Sequence, residues 1–191
     1  ALARLQWQGA ASAAASIWFP VKRKNDWRLA GVIDFADAGV ELREHGIELA
    51  RISGELPFTG DGLGPARLSA SMLGESVSVG LESWFRPDFR LSLQGVFPIR
   101  GLIPTSWKAG LSAAVEQLEG RAPFDIDFQS GETVDDRRNP ELRVTSSLED
   151  VSSGLPAPLA KSAGSIWPFD MTLSLGEVQQ PVRFAIEERL A

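Results

Sequence analysis

The chain contains no cysteine and a single histidine, His45, among its 191 residues. The absence of cysteine excludes disulfides, thiolate metal sites and a cysteine nucleophile. A single histidine excludes a His-rich metal site and a two-histidine proton relay. No apolar run reaches the ~18 residues of a transmembrane helix. Ala10–Phe19 is apolar, but it is too short to span a bilayer and lacks the charged leading segment of a signal peptide.

Positive charge is also scarce. The chain has 19 Lys and Arg against 25 Asp and Glu, a net charge of −6, and it lacks the basic stripe of a nucleic-acid-binding surface. The one short basic run, Lys22 to Lys24, comes soon after Trp18 and Phe19. Such a run is typical of a solvated loop, and beside aromatic residues it is also compatible with contact to anionic lipid. We predict no nucleic-acid partner.

The residues of known catalytic motifs do not come together in this sequence. Asp125 and Asp127 share one face of a predicted strand, a placement typical of a solvated sheet face. The glycine-rich stretch Gly60–Gly64 is followed by no Lys-Ser or Lys-Thr pair and no helix, so it is not a phosphate loop. The serines have no base partner and no nucleophile-elbow motif. We therefore predict neither an enzyme nor a bound cofactor.

Alternation of apolar and polar residues dominates what is present. Phe124–Gln129 is a clear example, with aromatic and aliphatic residues at every second position and polar residues between them. Roughly ten such segments follow one another through short turns, and short turns join antiparallel neighbours. Parallel sheets would instead show continuous apolar runs. The sequence predicts a mainly β fold whose antiparallel sheet has one dry and one wet face.

The segments divide the chain into two strand sets. Residues 1–97 are predicted as a first antiparallel meander and residues 121–191 as a second strand set. Between them, residues 98–120 are predicted as a helical insert, with a helix over about 106–118 that ends at Gly120. The pattern predicts a turn at Asp37–Gly39 and leaves Gly9–Ser16 open between a loop and a short helix. Since the chain starts at Ala1 in strand-like sequence, we expect an interior piece of a longer protein.

The pattern does not decide how the dry face is covered. A two-sheet sandwich, a closed barrel and a long curled sheet with an apolar groove all satisfy the same alternation.

The block Leu142–Lys161 resembles the YhdP branch of the AsmA-like envelope proteins. In that branch a strand is followed by Ser-Asp-Leu-x-Gly, a spacer and Leu-Pro-x-Pro-Leu-x-Lys. Leu148 matches the leucine of the first element, while Asp150 stands near the usual glycine. The second element is matched by Leu155, Pro156, Pro158, Leu159 and Lys161. Gly54–Phe58 and Leu118–Phe124 resemble further recurring pieces of the family, so the likeness extends over most of the chain.

The resemblance implies a fold and a task. Members form a long, taco-shaped β-sheet with a hydrophobic groove, are anchored in the inner membrane by an N-terminal helix, and carry phospholipid across the periplasm toward the outer membrane. This chain would be one interior slab, with phospholipid as its ligand and both membranes as partners through the full-length protein. The apolar positions suited to a groove floor are Phe35, Val77, Val79, Leu91, Leu93, Phe124, Ile126, Phe128, Met171 and Leu173.

The proline-containing segment 154–161 is predicted to lie at the groove mouth. Pro156 and Pro158 lack the N–H that a sheet ladder requires. Leu155 and Leu159 are therefore expected to rest on the dry face, and Lys161 to keep its amine in water, where it meets solvent or a lipid phosphate.

Two other functions remain open from the sequence. One is a structural or assembly-factor module that aids outer-membrane protein biogenesis through exposed strand edges. The other is a secreted β-sandwich that binds carbohydrate with its six tryptophans.

Overall fold

The computed structural model describes residues 5–20, 27–42, 47–83, 89–103, 112–130, 133–134, 137–138, 140–174 and 183–186. The strands in these ranges are β1 (Leu5–Trp18), β2 (Arg28–Leu42), β3 (Ile47–Thr59), β4 (Gly62–Leu63), β5 (Ala66–Met72), β6 (Glu75–Ser83), β7 (Phe89–Pro98), β8 (Leu118–Gln129), β9 (Thr133–Val134), β10 (Arg137–Arg138), β11 (Glu141–Ser146), β12 (Val151–Ser153), β13 (Phe169–Ser174) and β14 (Arg183–Ile186). Helix α1 covers Ile99–Leu102, and residues 112–116 are also helical.

Twelve of these strands form one antiparallel sheet. Its order is β1-β2-β3-β5-β6-β7-β8-β11-β13-β14, with β4 paired to β3 and β12 paired to β8. β1 and β14 lie at opposite ends of this order, so the sheet is open rather than closed into a barrel. Within the described ranges the other sheet is the two-stranded β9–β10 pair, which rules out a two-sheet sandwich there. The predicted mainly β, antiparallel fold is confirmed, and the two strand sets join because β7 pairs with β8.

The first three strands are longer than their sequence pattern indicates. The predicted turn at Asp37–Gly39 is wrong, because β2 continues through it with a bulge at Asp37, whose φ is 62°. Gly9, with φ 89°, lies opposite this bulge, and a Cβ there would be 2.5 Å from the Asp37 carbonyl oxygen. The segment Gly9–Ser16 is neither loop nor helix but part of β1, since it pairs with β2 almost residue for residue.

The helical insert ends earlier than the spacing predicts. Residues 104–111 lie outside the described ranges, and residues 112–116 are helical as expected. The predicted helix end is wrong, because Leu118–Gly120 already belong to β8 and pair with β12. Gly120 is therefore a strand residue rather than a helix stop. Its φ is 107°, and a Cβ there would be 2.0 Å from the Asp150 carbonyl oxygen. Only glycine at this position leaves room for the start of β12 to lie so close to β8.

The best-buried part of the dry face lies beside α1. Phe97 and Ala122 are fully buried, and the Phe97 ring packs against Phe124 with a centroid distance of 6.4 Å. Ile99 and Leu102 of α1 pack against this cluster. The core thus concentrates at the strand ends that carry α1 and the start of β8.

Candidate functional site

The apolar side chains of six neighbouring strands align in rows that cross the sheet. The strand register fixes three rows. The central row consists of Leu68, Val79, Leu93, Ile126, Val144 and Met171. The row on one side consists of Ala66, Leu81, Leu91, Phe128, Leu142 and Leu173, and the row on the other side consists of Ala70, Val77, Gly95, Phe124, Ser146 and Phe169. At ~4.8 Å between strands, each row is about 24 Å long.

The ten predicted groove residues share this face. Nine of them lie in the three rows. The tenth, Phe35, lies on β2 and packs against the same core cluster, while Trp7 of β1 stacks on it at 6.4 Å between ring centroids. Their placement on one side follows from the period of two in a strand. Their contact with lipid stays a prediction.

Burial across the face is graded. Val77, Val79, Leu93 and Phe124 are buried. The row that contains Leu91 is half-buried throughout, and the remaining predicted groove residues outside that row are half-buried as well. A second layer packed at the density of a protein interior would bury all of them alike. The described dry face is therefore covered near α1 and more open toward the opposite strand ends.

The opposite face is polar, as the alternation predicts. Ser78, Arg90 and Asp125 are exposed, and Arg90 forms an ion pair with Asp127 at 3.1 Å. The alternation also predicts that Val77, Val79 and Leu81 share a side with Phe89, Leu91 and Leu93. The register of β6 and β7 confirms this for Leu91 and Leu93, while the side chain of Phe89 lies outside the described part of the structure.

Ion pairs link neighbouring strands on this wet face. The Arg143 guanidinium donates hydrogen bonds to Asp170, which lower the pKa of the Asp170 carboxyl and raise the pKa of Arg143. Asp170 also lines a cavity of about 560 Å³ together with Asp125, Thr145 and Ile166. In the described ranges no three side chains are grouped so that they could hold a metal ion.

The proline-containing segment 154–161, which we call the proline loop, is the tip of a two-stranded arm. Residues 147–153 and 161–167 run side by side, joined by hydrogen bonds from the Trp167 N–H to the Ser147 carbonyl at 2.9 Å and from the Gly164 N–H to the Glu149 carbonyl at 2.8 Å. The Gly154 N–H donates to the Gln117 carbonyl at 2.9 Å, which places the tip just before the start of β8. The tip therefore lies at the rim of the sheet, outside its ladder.

The two loop leucines differ in burial. Leu155 is half-buried, but Leu159 is 49% exposed. The prediction that Leu159 rests on the dry face is wrong, because the tip extends past the first residue of β8, where the sheet offers no surface beneath it. The placement of this loop at a groove mouth stays a prediction.

Lys161 is buried rather than solvated, with 8% of its surface exposed. Its Nζ donates to the carbonyl oxygens of Val151 at 2.6 Å, Glu149 at 3.2 Å and Ser162 at 3.3 Å. The prediction that this amine stays in water or meets a lipid phosphate is wrong, because the ammonium is buried and bonded to these three backbone carbonyls of the arm. Burial lowers the pKa of Lys161, against the opposing effect of Asp150 and Glu149.

Comparison with known proteins identifies the family. A family model described as YhdP protein matches residues 1–191, which is the full chain. Searches of curated proteins and of solved structures gave no significant match. In the part of the chain that the structure describes, no helix has the length and apolarity needed to cross a bilayer. With an open antiparallel sheet that is apolar on one face, and a family match over its whole length, the chain belongs to the YhdP family, a branch of the AsmA-like proteins of the bacterial envelope.

Proposed function

We propose that this chain is one slab of a bridge-like lipid transport protein, and that its dry face shields phospholipid acyl chains as they cross the periplasm. The observation that carries the proposal is the set of three apolar rows across six strands of an open sheet, of which the row that contains Leu91 is half-buried throughout. The general lipid-transport character of the YhdP family supports it. The inner and outer membranes are its partners through the full-length protein. No catalytic step and no cofactor are part of this function.

The rows match the energetic need of such a carrier. Moving an acyl chain of about fourteen methylenes from a bilayer into water costs on the order of 11 kcal/mol of free energy, at ~0.8 kcal/mol per CH₂. A continuous apolar surface cancels this penalty. Half of a bilayer's hydrocarbon core is ~15 Å deep, so a row of about 24 Å is long enough to hold an extended acyl chain.

Neighbouring residues on one strand provide the test. Ile126 belongs to the central apolar row, and Asp127 follows it on the wet face, where it pairs with Arg90. A photo-crosslinking residue at position 126 should capture phospholipid in cells, while the same residue at position 127 should not. Both positions lie on β8, so the comparison isolates the face of the sheet. Equal capture at both positions would contradict a one-sided groove.

A structural or assembly-factor role is the second candidate. It is favoured by β1, a 14-residue strand that lies at the edge of the sheet among the residues that the structure describes and whose described side chains are exposed. Such an edge is a template for pairing with another strand. Crosslinks from Ala11 or Ala13 to an outer-membrane protein during its assembly would support this role. The carbohydrate-binding β-sandwich is not retained, because the twelve main strands form a single sheet.

A further inference from the structure

Two segments outside the main ladder cover one rim of the dry face. Helix α1 follows β7 and the arm follows β11, and the strand register places both at the same strand ends of the sheet. Val151 of the arm belongs to the buried cluster of the dry face, and Leu148 of the arm packs against that cluster together with Ile99 and Leu102 of α1. We call these four side chains the rim wall.

The rim wall is fixed to the sheet by contacts of the backbone and of one arginine. The Arg100 guanidinium of α1 donates hydrogen bonds to the carbonyl oxygens of Leu118 and Glu116, both at 2.6 Å. On the other side of α1, the Leu73 side chain of the β5–β6 turn lies 3.1 Å from the position of a Cβ on Gly101. The arm is fixed because β12 pairs with β8. The wall therefore belongs to the folded sheet and extends along its rim from the β5–β6 turn to the arm.

Leu148 has a backbone conformation that leucine rarely adopts. Its φ is 49°, in the left-handed region. Its N–H donates to the Ser146 hydroxyl oxygen at 3.1 Å, and its carbonyl oxygen accepts from the Val151 N–H at 3.1 Å. Strained residues of this kind persist only where the surrounding structure holds them, and they occur most often at functional positions. Here the turn keeps two apolar side chains, Leu148 and Val151, on the buried cluster.

Burial along β8 shows which part of the dry face remains open. Phe124 is buried, Ile126 and Phe128 are half-buried, and Ser130, two residues further on, is buried again. The open part of the dry face is thus bounded on both sides at this strand. With the row that contains Leu91, these half-buried positions form what we call the open strip, which includes Leu81, Leu91, Ile126, Phe128, Leu142 and Leu173.

We propose that the rim wall confines acyl chains to the open strip and keeps them away from Phe124 and Phe169. Apolar surface that already packs against protein has been removed from water, so a lipid gains no further free energy by contact with it. The open strip still has apolar surface to cover. The four wall residues are thus positioning residues for the lipid path. This inference rests on the proposed function, because it names the part of the dry face that carries the lipid.

Two positions on one strand test the proposal. Phe169 and Leu173 share the dry face of β13 and are both half-buried, but Phe169 lies at the base of the arm, whereas Leu173 lies in the open strip. A photo-crosslinking residue is placed at either position of the full-length protein in cells. Capture of phospholipid should be at least fivefold stronger at position 173 than at position 169.

Removal of the wall should abolish this difference. Leu148→Gly removes a wall side chain, and glycine accepts the φ of 49° without strain. Combined with Leu102→Ser, it should raise capture at position 169 at least threefold and leave capture at position 173 unchanged. The control is Leu159→Ser, which removes an exposed side chain from the tip of the arm and should change neither. Circular dichroism checks the strand content, and if the double variant loses strands, Leu148→Gly alone is measured with the same expectation.

The outcomes separate this inference from the proposed function. Equal capture at positions 169 and 173 in the wild type would overturn the wall, as would a folded wall variant with an unchanged ratio, and both would leave acyl-chain binding to the dry face in place. Absence of capture at position 173 and also at position 126 would contradict the proposed function, and this inference with it.

Discussion

The most informative single change concerns Lys161, whose ammonium links the two strands of the arm that carries the proline loop. Lys161→Met keeps an unbranched side chain of similar length and removes only the charged donor. Three carbonyl oxygens, those of Val151, Glu149 and Ser162, then lose their donor. A hydrogen bond to a charged group is worth ~1.5–3 kcal/mol, and the return of the ammonium to water in the unfolded state offsets part of the sum. We expect a loss of about 2–4 kcal/mol in the free energy of unfolding.

Urea unfolding followed by circular dichroism measures this loss. For a chain of this size each kcal/mol shifts the melting temperature by ~2–4 °C, so the expected fall is on the order of 5–15 °C. Amide hydrogen exchange should rise at Ser153 and Lys161, whose N–H groups bond across the arm at 2.8 and 3.1 Å. The control is Arg90→Met, which removes an exposed ion pair and should cost less than ~1 kcal/mol. Equal small losses in both variants would refute the claim that the buried ammonium stabilises the arm.

Three further predictions address the apolar face, the loop and acid stability. Leu173→Asp should abolish acyl-chain binding, because an unpaired charge on an apolar path is costly, whereas Thr172→Asp on the other face should not; bound phospholipid is measured by mass spectrometry. Leu155→Ser, which changes the half-buried leucine of the proline loop, should alter lipid occupancy while circular dichroism shows folded strands, and unfolding of the whole chain would instead identify the loop as a core plug. Because its arginine partner lowers the pKa of Asp170 in the folded state below the usual 3.8, this carboxylate stabilises the fold above that pH and less so as pH falls through the folded-state pKa. Asp170→Asn should therefore weaken the acid dependence of unfolding, and an unchanged pH profile would contradict this.

The side-chain faces could be predicted because the period of a strand is a local property. Ile126 points to the dry face and Asp127 to the wet face in any antiparallel sheet, so one strand pattern is enough to separate them. The same argument placed the ten groove candidates on one side. It did not extend to Gly9–Ser16, where alanine and serine provide too little contrast to show a period, and only pairing with β2 makes this segment a strand.

Closure of the sheet and the environment of Lys161 were decided by tertiary structure. The alternation of apolar and polar residues is identical in a sandwich, a barrel and an open sheet. Only the structure shows that β7 pairs with β8 and that β1 and β14 lie at opposite ends of the sheet. A lysine after a proline loop is normally solvated, and no local signal reveals three carbonyl oxygens contributed by residues 149, 151 and 162. The sequence alone thus determined which side chains face the same way, because that depends on neighbours along the chain. Which surfaces stay open and which charges are buried depends on contacts between distant segments, and only the tertiary structure establishes those.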